Sequence, residues 1–222
     1  AGLMPVGLDT AIIPVIPSGK PEIRRALKIN EQAKVFAFVG RLDAYKQPLD
    51  LVPLLQAAPD WYAVIIGQGA LSGELTKRLG EAGLLDRCRL IPQLPNAQVH
   101  IYYHACDAFV NLNEGEIFGM SLLEAMYAGC PPVARHAPGP DLIIEDGVSG
   151  WLCDTVAAMA AALDRTTRHG ARRAKPGERT LPVAEQRRAG ADPAAEKGKN
   201  EWITITFWCR RPPTSTAVCA LR

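Results

Sequence analysis

Asn113-Glu114-Gly115-Glu116-Ile117-Phe118-Gly119-Met120-Ser121-Leu122-Leu123-Glu124-Ala125-Met126-Tyr127-Ala128-Gly129 is the stretch on which the reading of this sequence turns. The apolar run before it, Ala108 to Leu112, predicts a buried strand. Met120, Leu123 and Tyr127 recur at helical spacing and predict a helix over Gly119 to Ala128. Gly129, with Pro131 and Pro132 behind it, ends that helix. Glu114 and Glu116 therefore fall in a strand-to-helix loop, and Glu124 falls within the helix. In open α/β sheets such loops line the crevice where ligands bind, and the unpaired N–H groups opening the next helix suit a phosphate.

Working outward, strands alternate with helices. Strands are predicted at Lys34–Val39, Trp61–Ile66, Arg89–Ile91, Pro132–Ala134 and Gly150–Cys153. Helices are predicted at Pro21–Lys28, Asp50–Ala57, Leu71–Ala82 (with Leu71, Leu75 and Leu79 on one face) and Gln98–Ala105. A last helix is capped by Asp154 and turns Val156, Met159, Ala160 and Leu163 inward. This alternation implies a doubly wound parallel sheet with helices on both faces, an α/β fold. Residues 1–33 read as a linker, Pro5 to Pro17, and a short helix. Residues 34–165 read as the folded domain and 166–222 as an atypical tail. Arg168 to Asn200 is rich in Arg, Lys, Ala, Pro and Gly and is expected to be disordered. Glu201 to Cys209 alternates like a strand but offers no evident partner.

The chain has 222 residues, 48% hydrophobic, and a net charge of +2. That charge is too small to argue for nucleic acid, and no apolar run approaches membrane-spanning length. None of the six cysteines forms a C-x2-C pair, so zinc is not expected. Four lie in or beside apolar runs, as reduced, buried thiols do, which fits a cytoplasmic protein.

Glu116 and Glu124 are eight residues apart, about 12 Å if helical throughout. Two carboxylates at that span could grip hydroxyls at both ends of a nucleotide diphosphate sugar. Alone, they are equally the surface charges of a solvated helix. Arg41 and Lys46 follow the first strand of the domain, where two cations can neutralise a diphosphate. Gly67-x-Gly69-x-x-x-Gly73 looks like a dinucleotide fingerprint, but Ser72 stands where a glycine is needed and no acid ends the next strand. The glycines are expected to serve backbone packing. His100 and His104 share a helix face, but no third metal ligand is placed beside them. A paired surface or groove role is expected for them.

The Glu-x7-Glu spacing, with Phe118-Gly119 and Leu123-Glu124-Ala125-Met126, resembles the retaining glycosyltransferases of family four, which have a GT-B fold. Gly40-Arg41-Leu42 with Lys46, and the glycine turn before Glu145-Asp146-Gly147-Val148-Ser149-Gly150, resemble further motifs of that family. Gln47 replaces a usual glycine, and Leu142 stands where a glutamate is frequent, with Asp141 a candidate substitute. Gly7-Leu8-Asp9-Thr10 resembles the family's crossing from its N-terminal domain. The resemblance covers Pro5 to Leu163. It implies a Rossmann-like, C-terminal donor-binding half of a two-domain enzyme, whose N-terminal domain is expected to be missing. That enzyme would transfer a hexosyl group with retention to a glycan, lipid-linked or small-molecule acceptor. Arg41, Lys46 and Glu116 would be catalytic; Glu124 would bind the ribose, and Gly40, Phe118 and Gly119 would line the phosphates. No metal or other cofactor is implied, and the site would be cytoplasmic or peripheral to the inner membrane. A non-catalytic nucleotide-sugar-binding fragment and an epimerase of the same fold are the alternatives.

Overall fold

The computed structural model describes residues 5–9, 19–168 and 202–206, the first and last of these as backbone alone. In chain order the strands are β1 (Pro5–Asp9), β2 (Lys34–Val39), β3 (Trp61–Ile66), β4 (Cys88–Ile91), β5 (Ala108–Asn111), β6 (Pro132–Arg135), β7 (Trp151–Cys153) and β8 (Trp202–Thr206). The helices are α1 (Lys20–Ala26), α2 (Leu51–Ala57), α3 (Ser72–Glu81), α4 (Asn96–Ala105), α5 (Met120–Tyr127), α6 (Pro138–Ile143) and α7 (Val156–Arg168).

Six strands form one parallel sheet in the order β4-β3-β2-β5-β6-β7. The chain winds outward from β2 through β3 to β4. Helix α4 then carries it back to β5 on the other side of β2, from where it winds outward again. The direction reverses between β2 and β5, so the loops leaving their carboxyl ends diverge and open a crevice.

The reason β2 sits centrally is legible in Lys-Val-Phe-Ala-Phe-Val. Side chains alternate faces along a strand. Phe36 and Phe38 enter one core with Leu51, Leu54, Leu75 and Leu163. Val35 and Ala37 enter the other with Val99, Tyr103, Phe109 and Leu122. A strand buried on both faces needs an unbroken apolar run rather than alternation.

Gly67 and Gly69 fix how β3 meets the loop after β2. Gly67 has φ +146°, and a Cβ there would lie 1.9 Å from the Gly40 carbonyl oxygen. A Cβ on Gly69 would lie 2.4 Å from that of Leu42. The backbones touch where side chains would clash, which is the packing role expected of these glycines.

Four expectations are corrected. Pro138-Gly139-Pro140 opens a short helix, α6, rather than a turn, because proline is tolerated in a first helical turn. Helix α5 buries Leu122, Leu123 and Ala125, which pack in one core with Phe109 and Ala134 of the sheet, whereas Met120 in its first turn and Tyr127 in its last are exposed. Thr155, not Asp154, caps α7, its Oγ1 accepting from the Ala158 N–H at 3.1 Å. The strand read near Trp202 has a partner, the supposed linker: β1 and β8 pair antiparallel, Val6 opposite Ile205. The expected disorder of Arg168 to Asn200 lies outside the described residues, save for Arg168, which ends α7. Among the described residues no helix is long and apolar enough to cross a membrane.

Candidate functional site

The loop after β2 turns at Asp43, whose Oδ1 accepts from the Lys46 N–H at 3.1 Å and starts the 3-10 turn Ala44–Lys46. That turn aims Lys46 across the crevice. The loop after β5 is shaped by asparagines. Asn111 Oδ1 accepts from Asn113 N–H at 3.0 Å, and Asn113 Oδ1 accepts from Gly115 N–H at 2.8 Å. Glu116 is thereby held under the loop, 6% exposed.

Lys46 Nζ lies 2.5 Å from Glu116 Oε2. Its neighbours repeat the contact: Tyr45 donates its hydroxyl to the Gly115 carbonyl at 2.8 Å, and Gln47 Oε1 accepts from Glu114 N–H at 2.9 Å. Three consecutive residues of one loop thus hold three of the other. Glu116 Oε1 also accepts from the Gly119 N–H at 3.2 Å. Gly119, at φ +66°, ends the loop in the left-handed conformation that glycine adopts cheaply. Lys46, Asn111, Glu116 and Ser121 line the crevice over a floor that includes Phe38 and Val110.

The two glutamates of the Glu-x7-Glu pattern occupy different surroundings. Burial pushes the Glu116 carboxyl up, but the Lys46 hydrogen bond and charge, with Gly119 and Asn113, outweigh it and hold the group below its ordinary value. Glu124 is 8% exposed and accepts from Asn96 Nδ2 at 2.8 Å and the Tyr103 hydroxyl at 3.3 Å. Burial dominates there, so its carboxyl is raised despite those bonds. A carbon-detected NMR titration of the glutamate carboxyls is expected to place Glu116 below and Glu124 above the ordinary 4.5. The linkage signs are opposite. Glu116 contributes stability above the unfolded carboxyl range that is lost as pH falls through its depressed pKa. The Glu124 contribution is full at low pH and is lost as pH rises through its raised pKa.

Of the residues expected from sequence, Lys46 and Glu116 meet, and Gly40, Phe118 and Gly119 border the same two loops. Arg41 does not join them: its side chain is 75% exposed and pairs with Asp43 Oδ2 at 3.1 Å. Asn113, Tyr45, Asn96 and Tyr103 were given no role from the sequence, and Gln47 was noted only as standing where a glycine is usual. Asn96 and Tyr103 reach Glu124 from 28 and 21 residues away, on a different helix. Arg135, at the end of β6, pairs with Glu114 and lies 3.7 Å from Asp50 Oδ2. His136 pairs with Asp141 through Nδ1 at 2.8 Å, while Leu142 is exposed. His100 is buried rather than at a surface or groove, and neither ring nitrogen has a hydrogen-bond partner among the described residues. Among those residues no three His, Cys, Asp or Glu side chains are placed to hold a metal ion.

A family model described as glycosyl transferases group 1 matches residues 19–180. The D-inositol 3-phosphate glycosyltransferase of Mycolicibacterium gilvum is 33% identical over 153 residues, 66% of this chain and 34% of that protein. The enzyme of the same name from Actinosynnema mirum is 32% identical over 163 residues, 68% of this chain and 39% of that protein. The chain thus spans little more than a third of these curated relatives. Among solved structures, the C-terminal domain of a glycosyl transferase group 1 family protein (LpcC) from Francisella tularensis aligns with a TM-score of 0.63 and 25% identity, over 77% of this chain and 92% of that one. Anabaena Alr3699/HepE in complex with UDP aligns with a TM-score of 0.67 and 25% identity, over 76% of this chain and 48% of that one.

Proposed function

The chain belongs to the glycosyl transferases group 1, and from that premise we propose that the crevice between β2 and β5 holds a nucleotide diphosphate sugar. The observation that carries this is the meeting of Lys46 and Glu116, 70 residues apart in sequence, at the point where the strand order reverses. A cation and a buried carboxylate there match the two ends of the reacting bond. Lys46 is placed to neutralise the diphosphate and the charge that grows on it as the nucleotide departs. Arg41 joins it by leaving Asp43. Glu116 accepts from sugar hydroxyls once Lys46 turns to the phosphates, and Glu124 accepts from the ribose. The open N–H groups at the start of α5, beyond Phe118 and Gly119, face the phosphates. The cations at the diphosphate are the chain's own, with no metal or cofactor in this scheme.

Within a whole two-domain enzyme, this half would serve hexosyl transfer with retention, to a glycan, lipid-linked or small-molecule acceptor bound largely by an N-terminal GT-B domain. A second reading, donor binding without catalysis, is favoured for this chain taken alone by its spanning 34% of the Mycolicibacterium relative.

A thermal-shift screen of UDP-, GDP- and ADP-sugars, with the matching nucleoside diphosphates, tests the reading. One base series is expected to raise the melting temperature. Ligand at a hundred times Kd adds about 2.7 kcal/mol, or roughly 5–10 °C for a domain of this size. No shift with any series contradicts donor binding. Robust sugar transfer by this chain alone contradicts the half-enzyme reading.

A further inference from the structure

We infer that Gln47 is a positioning residue for the sugar end of this site, an inference that rests on the function proposed above. Gln47 has φ 50° and ψ 45°, a left-handed backbone that glycine adopts far more readily than a residue with a Cβ. Pro48 follows it, and a residue before proline is biased toward extended backbone. The conformation is therefore doubly unfavourable for glutamine. What glutamine has and glycine lacks is a side-chain carbonyl, and its Oε1 accepts from the Glu114 N–H at 2.9 Å.

Glu114 is held from a second side. Its carboxylate pairs with Arg135, a side chain only 14% exposed that also lies near Asp50 at the start of α2. Glu114 is thus fixed through both its backbone and its side chain, two residues before Glu116. Glu116 in turn grips Lys46 from the same loop as Gln47. Backbone strain persists where the surroundings over-determine it, and such places cluster at functional sites. The strain at Gln47 is retained beside the carboxylate assigned to the sugar, and the glutamine amide sets where that carboxylate stands. Gln47 touches neither phosphate nor sugar in this scheme; it acts through the loop.

Calorimetry on the full chain separates this from a purely structural role. The probes are UDP and UDP-glucose, or the GDP/GDP-mannose or ADP/ADP-glucose pair if the thermal-shift screen selects that base. The readout is the ratio of the two Kd values, which isolates the sugar. Gln47→Gly relieves the backbone strain and is expected to melt no lower than the parent. It should nevertheless reduce the preference for the sugar-bearing ligand by about fivefold to tenfold, the effect of losing one well-placed hydrogen bond and its alignment. Affinity for the plain nucleoside diphosphate should not change. Gln47→Met, of similar volume without an acceptor, should behave alike in the ratio. Gln47→Glu keeps an accepting oxygen and should restore it. An unchanged ratio in Gln47→Gly and Gln47→Met overturns the assignment while leaving donor binding intact. So does an equal loss for both ligands, or failure of Gln47→Glu to restore the ratio. If the parent chain binds neither member of any pair, the proposed function falls and takes this inference with it.

Discussion

Lys46→Ala is expected to weaken nucleoside diphosphate binding by about 10- to 100-fold at low salt, the range set by one charge-assisted hydrogen bond of about 1.5–3 kcal/mol. The gap between parent and variant should narrow as salt rises, because screening weakens the interaction being removed. The variant also leaves Glu116, 6% exposed, without its cation. An unpaired buried carboxylate is costly, so the melting temperature should fall and the Glu116 carboxyl should titrate higher than in the parent. Adding Glu116→Gln should recover much of the lost stability but none of the lost phosphate affinity. Calorimetry at two salt concentrations, with a melt of each apo protein, separates the two effects. Undiminished nucleotide affinity in Lys46→Ala would remove Lys46 from the site.

Glu124→Ala is expected to cost about 10- to 100-fold in affinity for the natural nucleotide and little for its 2′,3′-dideoxy analogue, which lacks the hydroxyls a carboxylate would accept from. This loss should be less sensitive to salt than that of Lys46→Ala, since it reports short hydrogen bonds rather than net charge. The structure adds a complication with a sign of its own. Glu124 accepts from Asn96 and from the fully buried Tyr103. Alanine strands the Tyr103 hydroxyl, at about 1–3 kcal/mol of stability for a buried group left unmade, whereas the exposed Asn96 amide turns to water. Glu124→Gln keeps the volume and one acceptor, and serves as the control. If the alanine costs as much with the dideoxy ligand as with the natural one, Glu124 is a structural acceptor for Asn96 and Tyr103 and not the ribose ligand.

How much of this was legible in the sequence varied with the physics. The bounds of β2 and β3 coincide with the runs read from sequence, because strands buried on both faces write themselves as unbroken apolar segments. Lys46 and Glu116 were singled out separately, one by its place after a strand and one by the Glu-x7-Glu spacing. That they touch is a property of strand order, which no local pattern encodes. Helix α6 was missed because Pro138-Gly139-Pro140 resembles a glycine-rich turn, although proline fits a first helical turn. The buried face of α5 was misjudged because periodicity assumes one apolar environment along the helix. Met120 at one end and Tyr127 at the other are instead exposed. The partners of Glu124 were out of reach: Asn96 and Tyr103 lie on α4, and nothing in their spacing points to a carboxylate on α5. His100 looked like one of a surface pair, since its companion four residues on is the only neighbour a sequence displays.

The most direct test of the central claim is backbone amide shift mapping of the full chain by NMR during titration with the nucleoside diphosphate chosen by the thermal-shift screen. The largest perturbations are expected in Gly40 to Gln47 and Asn113 to Leu122, the loops that close the crevice between β2 and β5. Saturable binding that leaves those amides unmoved, with shifts gathered instead at the groove of Glu22, Ile101 and Tyr102 between α1 and α4, would contradict it.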